Sequence, residues 1–237
     1  MTDKIIKSAE RVKNHGEVFT PKKTVDFMLD QPEISAKVNS LTATFLEPSA
    51  GEGAFLTEIL HRKLLVAQKQ SNSARKFGEN CLIALSSLYG IELLEDNVEM
   101  LVMNMITTFN QDYLSGVTQN FSGKPDAHVL ASAKVIIQAN MVQGDALKKI
   151  TSNGTPIIFS EWRLLPPVRG VRKVQRMEYT FESIVNGKGP TKTVKDYAEE
   201  IDLFADSDFF KDEKKSKPQF KHYVPVKITD IYKQLVE

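Results

Sequence analysis

The stretch EPSAGEGAF, residues 47–55, constrains the fold more than any other part of the chain. A strand-like run, Thr42 to Leu46, leads into it. A helical pattern leaves it, with Phe55, Leu56, Ile59, Leu60, Leu64 and Ala67 on one face. A strand that turns through glycines into a helix is the repeating unit of parallel α/β sheets. In such sheets ligands bind at the carboxyl ends of the strands, where helix N-termini present free N–H groups. Gly51 and Gly53 let a ligand approach the backbone and accept positive φ without steric cost. The Lys-Ser/Thr ending of a phosphate-gripping loop is missing, and Glu47 and Glu52 repel phosphates. A cofactor with a cationic or zwitterionic end therefore suits this loop better than a triphosphate. Taken alone, the stretch also reads as a plain tight turn.

The rest of the chain repeats the alternation. Residues 22–38 predict a short amphipathic helix broken at Pro32. A helix ending near Ser86, a strand in LYGIEL and an amphipathic helix in EDNVEMLVMNMITTF follow. Residues 110–126 lack periodicity and predict a loop, with Asp126 capping the helix AHVLASAKVIIQA. NMVQGDAL and TPIIFSEW predict a third and a fourth strand. Four such alternations imply α/β architecture: a mainly parallel sheet with helices on both faces and a short C-terminal appendage. Composition shifts near residue 165, which divides the chain into 1–165 and 166–237. Residues 195–213 carry eight acids against two lysines, and the ending YVPVKITDIYKQL predicts an edge strand and a short helix.

Bulk charge is uninformative: 31 basic against 30 acidic side chains give a net charge of +1. The single cysteine, Cys81, excludes an internal disulfide framework, and four scattered histidines at no ligand spacing predict no metal. A polar N-terminus and the absence of a run of roughly 18 apolar residues predict a cytoplasmic protein with no membrane partner.

Two acids give the glycine turn its meaning. Glu92 ends the second strand, where an acid can bond both hydroxyls of a ribose. Asp145 ends the third, where it can accept from an exocyclic amine. Each, read singly, is also an ordinary helix or loop cap.

In the order GEVFTP (16–21), FLEPSAGEGAFL (45–56), YGIELLEDNVEML (89–101) and QGDAL (143–147), the segments resemble successive motifs of the S-adenosylmethionine-dependent DNA adenine-N6 methyltransferases of bacterial restriction–modification systems. The resemblance covers roughly residues 14–160. It implies a Rossmann-like class I methyltransferase fold and S-adenosyl-L-methionine as cofactor. By it, Phe19, Thr20 and Pro21 line the methionine end, and Glu47, Pro48, Ala50, Gly51 and Gly53 wrap the amino acid portion. Glu92 holds the ribose, Asp145 the adenine amine, and Ala146 lies beside the ring. The implied reaction is direct methyl transfer to the amine of an adenine flipped out of DNA.

The chain departs from that family where the target base is held. The family places Asn or Asp, then Pro-Pro, then an aromatic at the end of the fourth strand. Here the position reads Ser160-Glu161-Trp162, and Pro166-Pro167 follows Leu165. Glu161 can still accept from an amine and Trp162 can stack on a base, or both serve only as a solvated acid and a strand anchor. Arg163, Arg169, Arg172, Lys173 and Arg176 follow without an intervening acid and are candidate DNA contacts, or a solvated loop, or a contact for an acidic segment such as this chain's own residues 196–213. No separate recognition domain fits in the remainder, so sequence selection is expected to be weak or to be supplied by a specificity or catalytic partner subunit. Two other readings stay open: a cofactor-binding but non-catalytic subunit or regulator of a modification system, and an NAD-binding oxidoreductase. The Phe-Thr-Pro segment and the acid-Pro opening of the loop weigh against the last.

Overall fold

The computed structural model describes residues 7–15, 17–186, 221 and 223–236; the acid-rich stretch 195–213 lies outside them. Three short helices come first: α1 (Ala9–His15), α2 (Lys22–Leu29) and α3 (Pro32–Val38). Pro32 ends the first amphipathic pattern and opens the next helix at its first position, where its missing N–H costs nothing.

β1 (Phe45–Glu47), β2 (Leu88–Glu92) and β3 (Met141–Gln143) form a parallel sheet in the order β1-β2-β3. Helices α4 (Ala54–Lys69) and α5 (Ala74–Ser86) connect the first pair; α6 (Glu95–Ser115) and α7 (Ala127–Asn140) connect the second. Phe77 through Leu85 of α5 are all buried, as befits an internal helix. Asp126 caps α7 by accepting from the His128 N–H. Gly90 of β2 marks how closely α4 lies on the sheet: a methyl group there would sit 2.8 Å from Leu56 Cδ1.

The expected loop at 110–126 is helical as far as Asn120. α6 runs to Ser115 and continues as one π-helical turn through Asn120. Leu101, Met105, Phe109, Tyr113 and Val117 are all buried at four-residue spacing, so the apolar stripe continues where the polar composition suggested an end. Gly116 is there for space, since a Cβ would lie 2.4 Å from the Phe77 ring.

The fourth strand leaves the parallel sheet. β4 (Ile158–Leu164) pairs antiparallel with β5 (Lys173–Thr180), and β5 with β6 (Val226–Lys227). Residue 165, where the composition changes, thus lies inside a hairpin. The sheet face bearing Tyr89, Ile91 and Val142 packs against Ile157, Phe159 and Phe181 of this second unit. On that side the hairpin and α8 (Phe181–Val185) provide cover where a doubly wound sheet has a helix layer. The physical reason is local pairing. A turn at Arg169-Gly170 lets β5 fold straight back on β4, and β5 then takes up β6, so the antiparallel sheet forms from its own neighbours. A 3₁₀ helix, Ile228–Lys233, closes the chain against α7, with Ser132 Oγ donating to the Thr229 carbonyl at 2.9 Å.

The molecule is therefore mixed α/β, with a three-stranded parallel sheet and an antiparallel one. No described helix is long and apolar enough to cross a membrane. Among the described residues, no group of three or more His, Cys, Asp or Glu is placed to hold a metal ion.

One buried cation braces the entrance to β1. Lys63 sits on the apolar stripe of α4 and is fully enclosed. Its Nζ donates to the carbonyls of Ser40 (2.9 Å), Leu41 (3.3 Å) and Ala43 (2.7 Å) and to Ser87 Oγ (2.8 Å). Burial lowers its pKa to about 8 from 10.5, so it stays charged at neutral pH.

Candidate cofactor site

The three parallel strand ends are tied into one surface by the backbone itself. Ala50 N–H donates to the Ile91 carbonyl and Gly144 N–H to the Glu92 carbonyl, each at 2.9 Å. The glycine loop, the end of β2 and the turn after β3 are thus neighbours. Both loop glycines have positive φ, +54° at Gly51 and +93° at Gly53. Gly53 also lacks room, because a Cβ would fall 2.6 Å from Leu101 Cδ1. At Gly51 the space beside the backbone is open.

Glu92 is the centre of this surface. It is 6% exposed, yet its carboxylate is well supplied with donors. Oε2 accepts from Gly51 N–H at 2.8 Å; Oε1 accepts from Leu94 N–H at 3.0 Å and from Asn97 Nδ2 at 3.4 Å. A carboxylate has about four acceptor positions, so one good position and one weakly used one remain for a ligand diol.

Asn97 links Glu92 to the N-terminal segment. Its Nδ2 also donates to Glu17 Oε1 at 2.6 Å, and its Oδ1 accepts from Lys7 Nζ at 2.6 Å and from Arg11 at 3.2 Å. Arg11 grips Glu17 with two bonds and reaches Asp96. Lys7 bridges Glu52 of the glycine loop, at 2.7 Å, to Asp96, at 3.1 Å, and lies over the Phe19 ring. α1 and the segment after it are thus clasped onto the loop. Phe19 lies beneath the clasp, and Pro21 supplies the carbonyl that starts α2.

Sequence reasoning missed Lys7, Arg11, Glu17 and Asn97. The bonds of Lys7, Arg11 and Glu17 to Asp96 and Asn97 span 80 to 90 residues, and no local spacing signals them. Bonds to Arg11 and Lys7 hold Asp96 down to about 2, and the bond to Arg11 also lowers Glu17. A carboxylate with a depressed folded pKa stabilises the fold above its unfolded value near 4 and loses that contribution as pH falls further. The clasp is therefore expected to hold at neutral pH and to release between about pH 4 and pH 2. Amide protection of residues 9–14, taken relative to the intrinsic exchange rate at each pH, checks this: protection that persists down to global unfolding would contradict it.

The remaining sequence-predicted residues are placed as follows. Glu47 is half-buried at the end of β1; desolvation raises its pKa, and a backbone bond to Ser49 opposes that. A cationic ligand group beside it would favour its charged form. Pro48 is exposed, Ala50 buried, and Thr20 half-buried. Asp145 caps its own turn, with Oδ1 accepting from the N–H groups of Leu147 and Lys148, both at 3.0 Å. Among the described residues its Oδ2 meets only the exposed ammonium of Lys148, at 3.2 Å, which a ligand amine could displace. Ala146 packs beside the Ile91–Phe159 cluster.

Ser160, Glu161 and Trp162 lie on β4, apart from the parallel sheet's strand ends. The Ser160 carbonyl accepts from Tyr89 OH at 3.0 Å, and Glu161 Oε2 accepts from Tyr179 OH at 3.0 Å. Trp162 is 7% exposed, its Nε1 donates to Asn140 Oδ1 at 3.2 Å, and the Arg176 guanidinium lies 5.1 Å from its ring centroid. So enclosed, this indole works as a strand anchor. Arg176 is likewise drawn inward, 4.3 Å from the Tyr223 ring, with Nε donating to Ser160 Oγ at 2.9 Å. Burial lowers its pKa. Arg163, Arg169 and Lys173 are exposed and Arg172 is half-exposed around the hairpin's free end.

No protein-family model, curated protein or solved structure matches the chain.

Proposed function

We propose that the chain is the cofactor-holding part of an S-adenosylmethionine-dependent DNA methyltransferase of the adenine-N6 type, on a shortened Rossmann-like class I plan. The observation that carries this reading is Glu92, a buried acid at the end of β2 that is bonded to the glycine loop and retains acceptor capacity beside it. A ribose diol suits that capacity. Glu47, half-buried and short of partners, suits an ammonium, and Asp145 suits an exocyclic amine. The bound cofactor would supply an electrophilic methyl group. This chain's residues would orient it: Gly51 and Gly53 by close backbone approach, Phe19 and Pro21 from the side of the clasp.

The station for a target base is less complete. Trp162 is enclosed, and a partner subunit is the better source of the aromatic ring and of sequence selection. In this form the chain is a subunit of a DNA modification system. A second reading, transfer by this chain alone, needs Glu161 to accept from an adenine amine, and Glu161 lies on β4, bonded to Tyr179 OH and apart from the strand ends that would hold the cofactor.

Calorimetry with S-adenosylhomocysteine and with NAD tests the pocket. Binding of the first with a dissociation constant in the micromolar range, and no heat with the second, is expected. Binding of NAD alone would sink the proposal. Tritiated cofactor with unmethylated DNA, alone and with the products of neighbouring genes, then separates the two readings. Label that appears without a partner and is lost in Glu161→Ala favours the second.

A further inference from the structure

We propose that the free end of the β4–β5 hairpin is a two-stranded ribbon that enters the major groove of duplex DNA; this rests on the reading of the chain as part of a DNA methyltransferase. The ladder between the strands ends with Leu165 N–H donating to the Lys173 carbonyl at 3.0 Å. Beyond it the strands pair once more, Val168 and Val171 exchanging bonds of 3.1 and 3.0 Å. Pro166 and Pro167 therefore oppose the single residue Arg172, an arrangement of two against one that bends and twists a ribbon. Proline, which cannot donate, is tolerated at such a bulge.

The tip is a two-residue turn with positive φ at both positions, +50° at Arg169 and +73° at Gly170. Turns of this kind favour Asn-Gly or Asp-Gly, because a longer side chain is strained at the first position. Arginine does not serve the turn. What it does is place a guanidinium at the outermost point of the ribbon. Arg163, Arg172 and Lys173 lie at its base, where β6 pairs with Lys173 and the Ile228 N–H donates to the Arg172 carbonyl at 3.1 Å; residues 162–177 contain no acid in a chain whose net charge is only +1. Among the described residues, none of these four cations forms an ion pair, whereas Lys7, Arg11, Lys22, Arg62 and Lys148 all do. Unpaired cations concentrated at one projecting end suit a polyanion. Beyond β6 only residues 166–171 project as two strands, which lie about 4.8 Å apart and with their side chains match a groove about 12 Å wide.

Fluorescence anisotropy with a labelled duplex, a single strand and an RNA duplex, over a range of salt, tests the proposal. Wild type is expected to prefer duplex DNA, with a slope of log K against log salt of about −3.6 for four phosphate contacts. Arg169→Gly is the informative variant: it relieves the backbone and should stabilise the hairpin, yet it is expected to weaken binding and to reduce the slope by about 1. Replacing Arg163, Arg169, Arg172 and Lys173 together by Ala should reduce affinity at least about 100-fold. Equal affinity for the single strand or for RNA would overturn groove entry. So would duplex binding within about two-fold of wild type in the quadruple variant. Calorimetry with S-adenosylhomocysteine on the same proteins keeps the two ideas apart: lost DNA binding with intact cofactor binding is the expected pattern, and absent cofactor binding in wild type counts against the pocket alone.

Discussion

Glu92→Gln is expected to lower the affinity for S-adenosylhomocysteine by about 100-fold, because a diol held by a carboxylate gains two charge-assisted bonds worth about 3 kcal/mol together. The substitution changes one oxygen to an amide. Oε2 faces Gly51 N–H and Oε1 faces Leu94 N–H, so whichever oxygen becomes NH₂ sets donor against donor. The glycine loop then loses its attachment to β2 on that account as well. The fold should lose about 2 kcal/mol, the usual cost of an unpaired buried donor. Calorimetry gives the first quantity and urea unfolding the second. Affinity within a factor of about three of wild type would show that Glu92 does not hold the ligand, whatever happens to stability. Asn97→Ala provides a graded comparison: it removes the weaker 3.4 Å bond to Glu92 and the link to Glu17 while leaving the carboxylate, so a smaller loss of affinity is expected.

Lys63→Met should destabilise the protein by about 3 kcal/mol, since the carbonyls of Ser40, Leu41 and Ala43 would each lose a donor worth about 1 kcal/mol. Methionine fills nearly the same volume, so little of the effect arises from a cavity. A shift of the urea midpoint equivalent to less than about 1 kcal/mol would mean that water reaches those carbonyls instead. The wild-type pH dependence has a definite sign. The folded pKa of Lys63 lies near 8 and its ordinary value at 10.5, so between these the unfolded chain binds the extra proton. Stability attributable to this group rises with pH across that window, and the Met variant should lack the rise.

What was legible in the sequence was mostly what repeats along a strand or helix. The stripe of α4 and the turn at Gly51 and Gly53 needed only local spacing. So did the position of Glu92 and Asp145 at strand ends, and a parallel sheet then places successive strand ends side by side. Lys63 occupies that same stripe, between Leu60 and Leu64. A lysine at a core position is a signal that spacing alone could have revealed. The partner of β4 was not legible. Alternation in IFSEWRL specifies a strand and its two faces but not which edge it joins, and the turn at Arg169-Gly170 decided that. The clasp of Lys7 and Arg11 was not legible either, because ion pairs across such separations have no period.

Asn140 joins the two sheets. Its side chain is fully buried; Nδ2 donates to the Leu88 carbonyl at 3.1 Å, and Oδ1 accepts from the Trp162 indole at 3.2 Å. Mechanically this amide is a pivot with unequal arms. Glu92 lies a few residues along β2 on one side, and on the other the ribbon extends from Trp162 to its tip for roughly 20 Å at about 3.3 Å per residue. A tilt of about 5° at the pivot, too small to break either bond, swings the tip by about 2 Å, comparable with a hydrogen-bond length. Asn140, with the Tyr89 hydroxyl that donates to the Ser160 carbonyl at 3.0 Å, therefore sets how steadily Arg169 is aimed relative to the end of β2.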